Sequence, residues 1–258
     1  RYFTFHERYQ ASLYSIKRKK SKNSVIKEQV NRYLNSLIAE TKQSIYAYIE
    51  PDNIRSINMA KEFGFNPIAK IAMYHFSRRF PKASGQFKLL TYDEAIPYIR
   101  NQFSTHSYYV ENPQSGLYAA WITNNEMALI TRLHEGCWEI KSMKGAFGKL
   151  LINLIPWVPI LNKIITPNCH KFLAFDSFLV LNPSIDTKEL NAFLSAGLAH
   201  FNGRHMMHWV DESAASSNYL HGVRWGILDK IIGKSEISLM VKGHAKSGPY
   251  FIDAMDML

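Results

Sequence analysis

The sequence predicts an α/β protein of two lobes, each a mixed central sheet flanked by helices. Three observations carry that prediction. Residues 44–65 read as a strand, a capped helix and a glycine stop; residues 172–241 repeat in kind the order of residues 10–77; and composition resets between the two stretches. The reset follows Arg78, Arg79, Phe80 and Pro81, where the polar residues 82–86 separate two apolar-patterned regions, so the expected lobes are 1–82 and 83–258. A chain of 258 residues with 47% hydrophobic and 20% charged side chains is long enough for one large or two ordinary domains.

In the first lobe, Lys17, Arg18, Lys19, Lys20 and Lys22 form a basic run, and a helix is expected to begin with Ser24, Val25 and Ile26. The apolar residues 45–49 give a short strand. Pro51, Asp52 and Asn53 then suit a turn and a helix start, because Asp and Asn side chains accept hydrogen bonds from the free backbone N–H groups there. That helix stops at Gly64, a residue that adopts left-handed backbone without a Cβ penalty.

Asn53, Ser56, Ile57, Met59, Phe63, Gly64 and Phe65 together form a pattern that resembles the last third of the GNAT superfamily of N-acetyltransferases. There a strand, an Asn-started helix and a Gly-Phe pair precede a closing hairpin. The resemblance implies acyl transfer from acetyl-CoA or another acyl-CoA to a small-molecule or peptide amine. It also implies a pyrophosphate site at the start of the preceding helix, where free N–H groups attract anions. On this basis the backbone of Ser21, Lys22, Asn23 and Ser24 cradles the pyrophosphate, Arg18 and Lys20 meet phosphate charge, and Asn53 sits near the pantetheine arm. The family has three strands and one or two helices ahead of this point, so the first lobe is expected to lack its N-terminal strands.

Three positions depart from the family pattern. Ser21 and Asn23 stand where the phosphate loop has small residues that let a phosphate approach the backbone. Asn tolerates left-handed backbone, and the neighbouring cations supply attraction; a solvated charge run is the plain alternative. Ala60 occupies the place of a tyrosine that protonates the leaving thiolate, and a methyl group donates nothing. Tyr46, Tyr48 and Tyr74 are near in sequence, but their plain reading is as half-buried strand aromatics. No catalytic residue is assigned. Because a well-placed amine attacks a thioester largely through proximity, transfer survives this loss as an expectation. A non-catalytic acyl-CoA-binding or interaction module is the alternative.

The second lobe reads as a strand at 87–90, a helix at 93–103, and a hairpin of 117–123 and 128–133 around Asn124, Asn125 and Glu126, with 138–140 extending the meander. After an apolar stretch at 147–165 come a strand at 172–181, a helix at 187–201, a strand at 205–210, a helix at 213–222 and a strand at 237–241. Between its first long strand and helix stand Asn182, Pro183, Ser184, Ile185 and Asp186, with neither glycine nor cation, so Asp186 is expected to cap the helix and this lobe to be degenerate toward coenzyme A.

The net charge of +10 suits an anionic partner, but no nucleic-acid motif accompanies it, and nucleic acid is not expected. The stretch 147–165 is broken by Pro156 and Pro159 and reads as two short helical pieces, with an interfacial anchor as the alternative and no transmembrane segment expected. Two cysteines argue against a disulfide scaffold and make a cytoplasmic location the default. His134, Cys137, Cys169 and His170 have metal-ligand chemistry but poor spacing; a buried thiol and a surface imidazole are the plain reading, and no metal is assigned. His205 and His208 share a strand and are candidate acceptor-side bases or simple packing residues.

Overall fold

The computed structural model describes residues 24–41, 44–113, 116–140, 150, 153–159, 161–233, 235–245 and 247–257. In chain order these form α1 (Ser24–Thr41), β1 (Ile45–Ile49), α2 (Ile54–Glu62), β2 (Asn66–Ser77), β3 (Phe87–Leu90), α3 (Tyr92–Phe103), β4 (Leu117–Thr123), β5 (Glu126–Trp138), a 3₁₀ turn (Ile155–Trp157) and α4 (Leu161–Ile164). There follow β6 (His170–Val180), α5 (Thr187–His200), β7 (His205–Asp211), α6 (Ser217–Leu220), α7 (Ile227–Ile232), β8 (Ser235–Lys242) and a 3₁₀ turn (Ala254–Met257). The class is α/β, with mixed β-sheet flanked by helices.

The chain divides into two compact units. The first comprises Arg1–Ile71 with Glu236–Ser247, the second Ala72–Ser235 with Gly248–Leu258. In the first unit the strand order is β1-β8-β2, and β1 runs antiparallel to β8 from Ile45 opposite Lys242 to Ile49 opposite Ser238. Val30 and Leu34, one turn apart on α1, pack with Ala47, Ile49, Ala60, Phe65 and Met240. Asn53 caps α2, its Oδ1 accepting from the Ser56 N–H at 3.4 Å. At the other end Gly64 has φ of +82°, the Phe65 N–H donates to Ala60 O at 3.0 Å and the Gly64 N–H to Lys61 O at 2.9 Å, the paired bonds of a Schellman stop. The Lys242 ammonium donates to Phe63 O and, at 2.7 Å, to Asn31 Oδ1, tying β8 to both helices.

In the second unit the order is β2-β7-β6-β5-β4-β3. Strands β3 to β6 form an antiparallel meander, and β6 and β7 are parallel, joined by the crossover helix α5 that such a pair requires. The hairpin turn at Asn124 and Asn125 has φ of 52° and 63°, the doubly positive turn that matches strand twist and that Asn tolerates. Side chains alternate between faces: Ala119, Trp121, Leu129 and Leu133 join Phe193, Leu194 and Leu198 of α5, while Tyr118, Ala120 and Ile130 join Ile96, Ile99 and Phe103 of α3.

Two sequence expectations are corrected. β5 is one continuous strand of 13 residues rather than a short strand with a later extension. The helix expected at 213–222 is reduced to Ser217–Leu220, because Asp211 accepts from the Ser213 N–H (2.9 Å) and Oγ (2.8 Å) and holds a turn there instead.

The N-cap of α5 has the predicted residue: Asp186 accepts from the Glu189 N–H at 2.8 Å, and Glu189 returns a bond to the Asp186 N–H. Asp186→Ala should cost about 1 kcal/mol, a fall of about 2–4 °C in thermal midpoint, and Asp186→Ser should restore most of it, as read by thermal melting in circular dichroism.

Candidate functional site

Of the residues implied to hold the cofactor, Arg18, Lys20, Ser21, Lys22 and Asn23 lie outside the described residues, and Ser24 is the first residue of α1. Asn53 is committed through its side chain to capping α2. Ala60 is buried in the core of the first unit, with no titratable group at that position. Tyr46 is buried with its ring 5.4 Å edge-on from Tyr48, and Tyr74 stacks on Trp225 at 4.6 Å.

The helix starts differ in charge. The first turns of α3 and α5 contain acidic residues, Asp93 with Glu94 and Glu189, whereas the 18-residue α1 has none. At α5 the free N–H groups face the Asp186 and Glu189 carboxylates of its own capping box, which repel phosphate. At α1 the positive end of the helix dipole directly follows Arg18, Lys19, Lys20 and Lys22 in sequence.

A second feature was not legible in the sequence. On β6 the register with β5 slips between Ile130 (opposite Leu179) and Arg132 (opposite Asp176), so β6 has one extra residue there, and Ser177 has φ of +49°. The core confirms the slip. Leu173 and Phe175 lie on one face of the sheet before it, and Phe178 on that same face after it, a change of phase that only an inserted residue produces. β6 pairs with β7 from Leu173 opposite Met206 to Phe175 opposite His208, and beyond this pairing lies a small cleft lined by Ser177, Phe178, His208, Val210 and Asp211. Carboxyl ends of parallel strands are where open α/β sheets take ligands. The cleft volume is about 30 Å³, enough for water but not for a cofactor.

Asp176 organises the bulge. Its carboxylate accepts from Arg132 Nε at 2.8 Å and Nη2 at 2.7 Å, from Ser177 Oγ at 2.9 Å and from the Ala254 N–H at 2.7 Å. Arg132 also lies 3.1 Å from Asp253. Burial pushes the Asp176 carboxyl up, but the Arg132 charge with His134 beside it outweighs this and holds it well below the carboxylate range. Burial likewise opposes the Arg132 charge, and Asp176 and Asp253 outweigh it in turn. His134, Asp176 and Asp253 present metal-type ligand atoms within 4.8 Å of one another, but the guanidinium already supplies the cation between the two carboxylates.

His208 lies in the cleft wall with its ring 4.2 Å above Phe175. Its Nδ1 donates to Phe175 O at 2.7 Å, which fixes the tautomer and leaves the lone pair on Nε2, a buried atom with no hydrogen-bond partner among the described residues. Burial lowers its pKa to about 4, so the ring is neutral at pH 7. His205 lies in a different row: its Nε2 is 3.1 Å from His75 Nδ1, and its Nδ1 is 2.7 Å from His170 Nε2. His75 and His170 are lowered to about 4, mainly by burial, and His205 falls well below its ordinary value for the same reason, aided by its two neighbours.

The plain reading of the Cys and His group is reversed. Cys137 and Cys169 are exposed and joined as a disulfide with a Cα–Cα distance of 5.6 Å, while His134 and His170 are buried. The pairing arises because β5 and β6 bring Cys137, opposite Lys171 near the end of β5, close to Cys169, the residue before β6, a relation across 32 residues that spacing alone does not reveal.

No protein-family model and no curated protein sequence matches the chain. Among solved structures, it is similar to a conserved protein of unknown function from Staphylococcus epidermidis (11% identity, 88% of this chain and 82% of that one, TM-score 0.42). It is also similar to a GCN5-related N-acetyltransferase from Anabaena variabilis (8% identity, 86% and 51%, TM-score 0.42). A third similarity is to Saccharomyces cerevisiae N-myristoyltransferase with bound myristoyl-CoA (7% identity, 70% and 52%, TM-score 0.39). This chain thus spans about half the length of the last two. Similarity at this level says nothing of activity.

Two outcomes follow from this geometry. Arg132→Met leaves Asp176 buried without its partner and should cost about 3–5 kcal/mol, read as a lowered thermal midpoint. Four of the buried histidines, His75, His170, His205 and His208, have folded pKa values below the unfolded value near 6.5, so the unfolded chain binds protons first. Stability should therefore be complete above about pH 6.5 and fall as pH drops toward 4, each shift of this size being worth about 3 kcal/mol. His205→Phe should flatten that slope in melts across pH.

Proposed function

We propose that the chain is an acyl-CoA-dependent N-acyltransferase, using acetyl-CoA or another acyl-CoA and a small-molecule or peptide amine. The amine nitrogen attacks the thioester carbonyl directly, the C–S bond breaks, and the thiolate takes up the proton that the amine loses. The observation that supports this reading is the start of α1, where a long helix without an acidic residue in its first turn follows a run of cations. Ser21, Lys22, Asn23 and Ser24 would cradle the pyrophosphate, Arg18 and Lys20 would meet its charge, and Asn53, while capping α2, would border the pantetheine arm.

On this reading the chain is a tandem, with 1–82 the C-terminal part of a first GNAT-like lobe and 83–258 a second, degenerate one. The carboxylates at the start of α5 account for the degeneracy. No helix among the described residues is long and apolar enough to cross a membrane. We place the activity in the cytoplasm, with the Cys137–Cys169 disulfide standing against that placement, since reducing compartments rarely sustain such bonds.

A buried Ala60 favours a second reading, a non-catalytic module that binds acyl-CoA or takes part in an interaction. Calorimetric titration separates the two. Acetyl-CoA should bind with micromolar affinity, desulfo-CoA similarly and ATP more weakly, and Ser21→Glu should weaken acetyl-CoA by at least about tenfold, because a carboxylate at that turn repels pyrophosphate. Release of free coenzyme A thiol with a panel of amines would establish the transferase. Binding without release would establish the module, and absence of binding would overturn both.

A further inference from the structure

The linker that leaves β2 is pinned at two points: the Arg78 N–H donates to Arg204 O at 3.1 Å, and the Lys82 N–H donates to Ser195 Oγ on α5 at 2.8 Å. The Arg78 guanidinium lies 3.9 Å above the Phe76 ring and donates to Ser77 O at 2.8 Å, Asn191 Oδ1 at 2.9 Å and Arg224 O at 2.5 Å. Every one of these acceptors is neutral. Burial opposes the Arg78 charge, and the Arg224 guanidinium opposes it further. Two like charges are thus held near one another with no carboxylate to balance them, an arrangement that an anion from outside stabilises.

Among the described residues, Arg78, Arg79, Lys82, Arg204 and Arg224 form no ion pair. The segments that bring them together, 72–86, 187–205 and 217–230, are described throughout and contain seven Lys and Arg against two acids, Glu189 and Asp229. Glu189 is engaged in the capping box of α5 and accepts from Thr123 Oγ1 at 3.0 Å, while burial raises the carboxyl pKa of half-buried Asp229. Neither pairs with an arginine. Lys82 and Arg224 are exposed, Arg79 and Arg204 half-buried. Phe80 stands in the same linker with 68% of its surface exposed, and the Arg79 guanidinium lies 4.9 Å from its ring centre. An exposed aromatic ring within a row of cations matches a single nucleic-acid strand, whose bases stack on rings while its phosphates meet the charges. A lipid surface calls for several exposed apolar side chains together, and this linker supplies one.

We propose that this face of the second unit binds single-stranded nucleic acid, with Arg79, Lys82, Arg204 and Arg224 meeting phosphates and Phe80 stacking on a base. Arg78 is a positioning residue that holds the 224–226 loop. The sequence has no nucleic-acid motif, because the cations come together from separate segments of the chain. The inference is independent of acyl transfer.

Fluorescence anisotropy of the full chain with a labelled oligothymidylate of about 20 nucleotides tests it. Dissociation constants should lie between about 1 and 100 μM at physiological salt, and affinity should fall with added salt at a log–log slope of about −3, as for four phosphate contacts on a single strand. Arg224→Glu and Lys82→Glu should each weaken binding at least about threefold, and Phe80→Ala at least about fivefold, with the thermal midpoint and acetyl-CoA affinity unchanged. Lys61→Glu, a charge change of the same size at the last turn of α2, should alter binding less than about twofold. Equal losses in Lys61→Glu and Arg224→Glu would overturn the proposal, because net charge alone would then account for binding. So would undiminished binding by Phe80→Ala, or anionic vesicles that bind the protein while oligothymidylate does not.

Discussion

Asp176 is a carboxylate with almost no exposure at the bulge of β6, and the second unit is arranged to keep it charged. Arg132 grips it from β5, Ser177 and the Ala254 backbone add hydrogen bonds, and Asp253 shares the same guanidinium. An isolated charge in such a place would be several kcal/mol out of balance, so none of these partners is dispensable. The bulge then has a structural reason: the extra residue at Ser177 turns Asp176 toward Arg132 and shifts the following side chains into phase with the core. His208 lies in the wall of the resulting cleft, its tautomer set by Phe175 O.

The starts of α1 and α5 differ in the charge that surrounds them. α5 and α1 each precede a strand, and a helix start in general leaves backbone N–H groups without partners inside the helix. Asp186 and Glu189 satisfy those of α5 internally, which stabilises the helix and closes the site to phosphate. α1 has no acid in its first turn and a cationic run before it, which suits an external anion. Internal capping and the proposed anion binding are alternative uses of one backbone feature.

The sequence revealed most of the local structure. Asn53 and Gly64 bounded α2, Asp186 began α5, and Asn124 with Asn125 marked the hairpin, because caps and turns depend on residues close in the chain. It did not reveal what long-range pairing creates. Ser177 is not the glycine that left-handed backbone usually demands, so the bulge had no local signature. The row of His75, His205 and His170 is assembled from three strands, and the Cys137–Cys169 bond from the ends of two. The pairing of β8 with β1, in the compact unit formed mainly by the N-terminal residues, lies equally beyond any local pattern.

The central claim is that an acyl-CoA phosphate group binds at the start of α1. Hydrogen exchange of the backbone amides, followed by mass spectrometry with and without acetyl-CoA, tests it at the level of individual helix starts. The account predicts slowed exchange in peptides covering residues 21–28 and none in those covering 186–190. Protection at 186–190 instead, or no change at 21–28 with saturating acetyl-CoA, would contradict it.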